Sequence, residues 1–331
     1  MTNSKTSVII TSISAPNAVM KTFADESKKQ NIDFIVIGDV KTPADFKLDG
    51  CRYFSINEQE KLDYSLVKIL PKKHYSRKNI GYLLAKKNEV IIETDDDNFP
   101  RAEFWNQRQR NIKTKIVLHG GWTNVYKYFS GEHIWPRGFP LECLSLPLPL
   151  PGKIEQSFDC PIQQGLADEN PDVDAVYRMT RKLPITFEKR TPLAIGENSW
   201  CPFNSQNTTW FQEAFPLLYL PSYCSFRMTD IWRSFIAQRI AWKCGWSVLF
   251  HNSTVWQERN EHNLLKDFED EVPGYLNNSK ICHLLEGLDL KNGSKNITEN
   301  LMRCYLMMAA NNFVSPNEIK LVEAWIKDIE G

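Results

Sequence analysis

Three consecutive aspartates, Asp95, Asp96 and Asp97, follow the apolar run Val90-Ile91-Ile92 in the stretch NEVIIETDDDNFP. Neighbouring carboxylates repel, and each raises the pKa of the next. Alternate side chains of a strand share a face, so Asp95 and Asp97 converge if the backbone stays extended. Two converging carboxylates at a strand end make a hard-cation site with open positions, suited to Mg2+ or Mn2+ and to phosphate oxygens. A solvated acidic loop is the competing reading, and on these residues alone the two weigh evenly. Asp230 sits in RMTDIWR, at the start of a helical pattern. A carboxylate there can accept a hydrogen bond from a substrate hydroxyl or act as a general base. A capping or helix-dipole role carries equal weight, and Arg227 and Arg233 beside it would keep it ionised.

The elements that must position these groups are legible around them. Val8-Ile9-Ile10 and Phe34-Ile35-Val36-Ile37 read as apolar strands, the second closed by Gly38-Asp39. Helices are expected from Ala18 to Lys29 and from about Lys78 to Lys87, with Val90-Ile91-Ile92 as the next strand. Apolar strands alternating with helices predict a parallel sheet covered on both faces, whose sites lie at the carboxyl ends of the strands. There Thr11, Ser12 and Ser14 end the first strand and Asp39 follows the second. From Phe99 to Phe226, prolines and aromatics are dense, which predicts loops and short strands wrapping the sheet and shaping a pocket. Ile231, Trp232, Phe235, Ile236 and Ile240 recur at helical spacing, with Thr229 as the expected N-cap. Trp246 to Phe250 reads as a strand. Helices are expected over Ile297 to Ala310 and Asn317 to Ile329.

Composition bounds the function. The chain has 331 residues, 42% hydrophobic and 12% aromatic, as a globular protein does. Its 40 basic and 40 acidic residues cancel, which argues against nucleic acid as the main partner. No apolar run approaches the roughly 20 residues of a membrane span. The start, MTNSKTSVIITSISAP, reads as no signal peptide, so a cytoplasmic location is expected. Eight scattered cysteines without a CxxC pair read as reduced thiols.

The segment YSRKNIGYLLAKKNEVIIETDDDN, a basic-polar patch, helix, strand and acidic motif, resembles GT-A glycosyltransferases. WPRGFPLE, GLADENPDVDAVYRMT and CPFNSQNTTWFQEAFPLLYLPSYCSFRMTDIWRSFIAQRI narrow the likeness. They resemble STELLO-type glycosyltransferases and, more distantly, the reversibly glycosylated polypeptides, which include UDP-arabinopyranose mutases. The resemblance covers roughly residues 7 to 262. It implies a GT-A-like α/β fold: a mixed, mostly parallel sheet flanked by helices, a Rossmann-like nucleotide-sugar domain over residues 1–265. A helical C-terminal extension, 266–331, is expected to pack on it.

The resemblance also implies roles. Asp95, Asp96 and Asp97 match the acidic motif that holds a divalent metal, Mn2+ or Mg2+, and the diphosphate of a nucleotide-sugar, with a UDP-linked donor expected. Arg137 matches the arginine glycosylated in the mutases, although their RGYPFS reads Arg137-Gly-Phe-Pro-Leu-Glu here. A guanidinium forks well onto phosphate, so diphosphate binding ranks above covalent glycosylation. Asp230 is the candidate base. His251, after Val248-Leu249-Phe250, is the candidate third metal ligand, with His262 competing. Thr11, Ser12 and Asp39 are placed for the nucleotide, and Arg77 and Lys78 for phosphate or base. Asn204, Gln206 and Asn207 suit sugar hydroxyls, whereas Asp168, Asp172 and Asp174 read as turn formers or sugar contacts. The expected activity is metal-assisted glycosyl transfer to a glycan or other hydroxyl. A mutase with autoglycosylating Arg137 and a non-catalytic scaffold for polysaccharide enzymes are the alternatives, and a homo-oligomer or polysaccharide-assembly complex the partner expectation.

Overall fold

The computed structural model describes residues 6–258 and 263–331. The centre of the sheet is built from β1 (Thr6–Ser12), β2 (Asp33–Gly38), β3 (Arg52–Phe54), β4 (Val90–Thr94), β5 (Ile162–Asp168), β6 (Asn207–Phe211) and β7 (Val248–Gln257). They lie in the order β3-β2-β1-β4-β6-β5-β7. β1 runs parallel to β2 and β4, β2 to β3, and β5 to β7. β6 alone among these strands runs antiparallel to its neighbours, β4 and β5. The sheet is mixed and mostly parallel. Leu193–Ile195, Asn111–Val117 and Gln156–Asp159 extend it beyond β7, and Asn98–Pro100 pairs with the end of β7.

Both faces are covered, as the apolar strands require. Val8 and Ile10 of β1 join a cluster with Val19 and Phe23 of α1 (Ala18–Gln30) on one face. Ile9, pointing the other way, joins Ile80 and Leu83 of α2 (Lys78–Ala85). Asn17 caps α1 by accepting from the Met20 N–H at 2.9 Å, and Asn31 ends it in the left-handed region at φ 54°. The second cluster continues without a break into α3 (Thr229–Lys243), α4 (Leu264–Glu286), α5 (Ile297–Ala310) and α6 (Glu318–Glu330), and Ile281, Leu301 and Trp325 belong to it.

Two expectations need correcting. The middle of the chain does not merely wrap the sheet, because β5 and β6 lie in its centre. Their signal was masked by polar residues that bond to one another inside the core. Gln164 Oε1, for example, accepts from the Asn204 N–H at 2.9 Å and the Thr208 hydroxyl at 3.0 Å. Thr229 is the first residue of α3 and its N-cap is Met228, which makes no side-chain capping bond.

α2 approaches the sheet closely at Gly81. A Cβ there would lie 2.5 Å from Ile9 Cγ2 and 3.1 Å from Ile37 Cγ1. Both atoms belong to branched side chains packed in the core. Gly81→Ala is expected to cost about 1–3 kcal/mol through overpacking, read as a lower urea midpoint at unchanged slope.

Candidate active site

A cavity of about 530 Å³ opens at the carboxyl ends of β1, β2 and β4. Thr11, Ser12, Asp39, Arg77, Asp95, Asp96, Asp97, Arg137, Gln206 and Asp230 all line it. β4 ends at Thr94, and Asp96 and Asp97 sit in a turn. Strand alternation therefore does not place Asp95 and Asp97; the turn fans the three carboxylates toward different partners.

Asp95 Oδ1 accepts from the Tyr75 hydroxyl at 2.7 Å and from Lys78 Nζ at 3.0 Å. Asp96 Oδ2 accepts from the Ser12 hydroxyl, and its carbonyl from Asn17 Nδ2 at 2.7 Å. Burial raises its pKa, with Asp95 adding to the effect. Asp97 Oδ2 accepts from Gln257 Nε2 at 2.9 Å. Its Oδ1 is buried and has no hydrogen-bond partner among the described residues. Burial, then the Asp95 charge, raises the Asp97 pKa to about 7. An orphaned oxygen on a buried carboxyl whose charged form is disfavoured is what a bound cation would relieve.

The basic residues are committed to protein partners. Lys78, fully buried, donates to Tyr75 and the Thr94 carbonyl at 2.7 Å, to Asp95, and to the Ser205 carbonyl at 3.3 Å. It stands behind the acidic turn as a fixed countercharge. Arg77 donates Nε and Nη2 to Gln59 Oε1, at 2.7 and 2.5 Å. Its Nη1 reaches the carbonyls of Leu70 and Pro71, so it shapes the cavity wall. The Asp39 carboxylate accepts from the backbone N–H groups of Val40, Lys73 and His74 and orders that rim. Thr11 Oγ1, buried and without a partner among the described residues, is an uncommitted donor there.

Arg137 is clamped between two aspartates. Its Nε and Nη2 meet Asp172 at 2.8 Å each, and its Nη1 and Nη2 meet Asp230 at 3.1 and 3.0 Å. A further bond from Nη1 reaches the Arg227 carbonyl. These contacts take up the N–H donors of the guanidinium. Arg137 thus sits at the cavity wall with its donors engaged by protein acceptors, where it positions Asp172 and Asp230 rather than offering a free guanidinium to a diphosphate or sugar. Burial alone would lower its pKa, but the two carboxylates hold it well above its ordinary value. Burial alone would likewise raise the Asp230 pKa, yet Arg137 brings it down to about 2. Asp230 Oδ2 also accepts from Ser205 N and Oγ, both at 3.2 Å. A carboxylate so acidic and so well bonded orients hydroxyls better than it takes protons.

His251 is not at the acidic turn. It faces Gly165 across the β5–β7 ladder, while the residue of β7 bonded to Asp97 is Gln257, roughly four strand steps or about 13 Å further. The His251 ring bonds the Asn252 carbonyl at 3.0 Å, and burial, then the Arg108 charge, pushes its pKa down to about 3. The bulge after His251 lets the strand run on beyond the expected Phe250 and carry Gln257 to the site. His262 lies outside the described residues.

Of the amides, Gln206 faces the cavity, and Asn207 is buried against Leu166 and Thr254. Asn204 accepts from the Gln206 N–H. Asp172 lines the cavity, whereas Asp168 pairs with Arg101 and Asp174 caps the helix Ala175–Thr180. Tyr75, Ser205 and Gln257 were missed as site residues. Tyr75 opens the quoted segment YSRKNIGYLLAKKNEVIIETDDDN, two residues before the basic-polar patch at Arg77, the one signal that pointed near it.

A model of the STELLO glycosyltransferases matches residues 227–331. The chain is 27% identical to probable glycosyltransferase STELLO2 of Arabidopsis thaliana and 26% identical to STELLO1 of the same plant. Each match covers 89% of this chain and 41% of the relative, so the chain spans under half the length of these curated relatives. Among solved structures, glucosyl-3-phosphoglycerate synthase from Mycobacterium tuberculosis is similar at TM-score 0.42 and 10% identity, covering 83% of this chain and 79% of that one. A mannosyltransferase from Pyrobaculum calidifontis, solved with GDP-Man and Mn2+, is similar at 0.41 and 6%, covering 98% and 86%.

The Asp230–Arg137 pair makes a pH prediction. A pKa lowered in the folded state gives stability that is present above the unfolded value near 4 and is lost as pH falls toward 2. Asp230→Asn is expected to lose roughly 2 kcal/mol at pH 7, and the gap to wild type should narrow to about a third of that by pH 2.5. Urea unfolding at both pH values reads it; a gap that stays constant removes the ion pair as its source. The family model over residues 227–331 and both curated relatives support the STELLO-type resemblance of this chain.

Proposed function

We propose that this chain is a nucleotide-sugar-dependent glycosyltransferase domain that uses a divalent cation at its acidic turn. The observation that carries the reading is the buried, unpartnered Asp97 Oδ1 beside Asp95 in a cavity at the strand ends. Among the described residues no group of three or more His, Cys, Asp or Glu side chains is placed to hold a metal ion by itself. Mg2+ or Mn2+ would have to be held by one or two carboxylates, with phosphate oxygens and water completing the shell. Asp95 and Asp97 would hold the ion, which when bound neutralises charge on the departing nucleotide diphosphate.

The chain's own groups do the rest. Lys78 and Tyr75 fix Asp95, and Ser12 fixes Asp96. Thr11 offers an uncommitted hydroxyl near the nucleotide. Asp230, held ionised by Arg137, and Asp172, paired with the same guanidinium, present their remaining lone pairs to sugar hydroxyls. A scaffold without catalysis has no use for an unpaired buried carboxylate oxygen, and the mutase alternative loses its free arginine.

Calorimetry with UDP-glucose and GDP-mannose tests the reading. Mn2+ is expected to tighten binding of one donor at least tenfold, about 1.4 kcal/mol. Asp95→Ala combined with Asp97→Ala should erase that gain. Equal affinity with and without Mn2+ in wild type would sink the metal site.

A further inference from the structure

A second cavity, of about 490 Å³, lies across the ribbon that Asn98–Pro100 makes with the end of β7. Successive strand residues face opposite sides: Gln257 lines the first cavity and Trp256 the second. The half-buried Trp256 indole stacks on Phe99 with centroids 4.4 Å apart and planes at 11°, which holds the ring rigid.

The polar groups around it are mixed in kind. Arg101 gives Nη2 to Asp168 at 2.8 Å, while its buried Nε has no hydrogen-bond partner among the described residues. Asn252 uses Oδ1 on the Arg190 N–H at 2.8 Å and lines the cavity. Glu103 and Lys189 pair loosely at the rim, at 3.3 Å with both side chains largely exposed. Three carboxylates, Glu103, Asp168 and Glu188, outnumber the two cations, Arg101 and Lys189, in the lining, which does not suit a phosphate or polyanion. A rigid aromatic ring among interleaved donors and acceptors suits a ligand that is apolar on one face and hydroxylated at its edge.

We propose that this cavity binds a neutral oligosaccharide, with a pyranose ring on the Trp256 indole and hydroxyls on Arg101, Asn252 and Glu103. The site stands apart from the acidic turn and does not depend on the transferase reading. Saturation-transfer NMR without nucleotide or Mn2+ tests it, using neutral tetrasaccharides of glucose, mannose and xylose at millimolar concentration. Transfer to the sugar C–H protons of at least one is expected. Trp256→Ala should weaken the affinity at least fivefold. Asn252→Asp, which keeps the acceptor for Arg190 and loses the amide donor, should weaken it at least twofold and guards against misfolding of the tryptophan variant. Two results overturn the proposal: no transfer to any of the three sugars, or transfer undiminished in both variants. Displacement of the sugar by UDP with Mn2+ would put it in the first cavity and also overturn it.

Discussion

The buried ion pair between Glu93 and Arg233 is the contact on which the geometry of the acidic turn depends. Both side chains are essentially solvent-free, with Nη2 to Oε1 at 2.8 Å and Nη1 to Oε2 at 2.9 Å. Trp210 Nε1 and the Tyr82 hydroxyl supply further donors to the same carboxylate. Glu93 is two residues before Asp95, and Arg233 is three after Asp230. One pair thus ties the end of β4 to the first turn of α3, with α2 and β6 joined through Tyr82 and Trp210. Two ions cannot leave water cheaply, and they repay that cost only where every remaining lone pair and proton is bonded. Here the requirement is met except at Arg233 Nε, which is buried without a hydrogen-bond partner among the described residues, and the bonded pair limits sliding between the elements that carry the site.

The same logic repeats outward and then stops. Lys78 neutralises Asp95, and Arg137 neutralises Asp172 and Asp230. Ser12 and Asn17 serve Asp96 and its carbonyl, and Asp97 alone in the turn keeps a buried oxygen without a partner. Among the described residues lining the cavity, Asp97 Oδ1 and Thr11 Oγ1 are buried oxygens without a hydrogen-bond partner. Buried orphans are costly, so a ligand contact would be most favourable there.

Much of this was legible beforehand, for a physical reason. Val8-Ile9-Ile10, Phe34 to Ile37 and Val90-Ile91-Ile92 are apolar on both faces, so their strands and the carboxyl-end site could be read directly. β5 and β6 carry Gln163, Gln164, Asn207 and Thr208, whose polarity is met by tertiary bonds to neighbouring strands and loops that no local pattern reveals. The same blindness affected the arginines. Arg77 and Arg137 looked like phosphate ligands by type, but whether a guanidinium faces a ligand or a carboxylate 35 residues away depends on tertiary placement. Gln257 carries no chemical signature of its own; a bulge in β7 brought it to Asp97 in the region where a histidine was expected.

The C-terminal helices looked least connected to the chemistry, and the buried carboxylates show otherwise. Glu271 of α4 accepts from the Ala175 N–H at 2.7 Å and pairs with Arg227 at 2.9 Å, on the cavity wall. Glu318 of α6 accepts from the Tyr219 hydroxyl and the N–H groups of Ser222 and Tyr223. Ser222 in turn bonds Ser76 at 2.7 Å, next to Tyr75. Asp328 binds the N–H groups of Ser65 and Leu66 at 2.9 and 2.7 Å. Each of these acids satisfies backbone donors in a segment that has no regular hydrogen-bond partner there, which is how irregular chain can be held still beside a cavity. That the family model begins at Arg227 and runs to the end of the chain fits this wiring. The helices that look appended in sequence are the ones that hold the loops of the site in place.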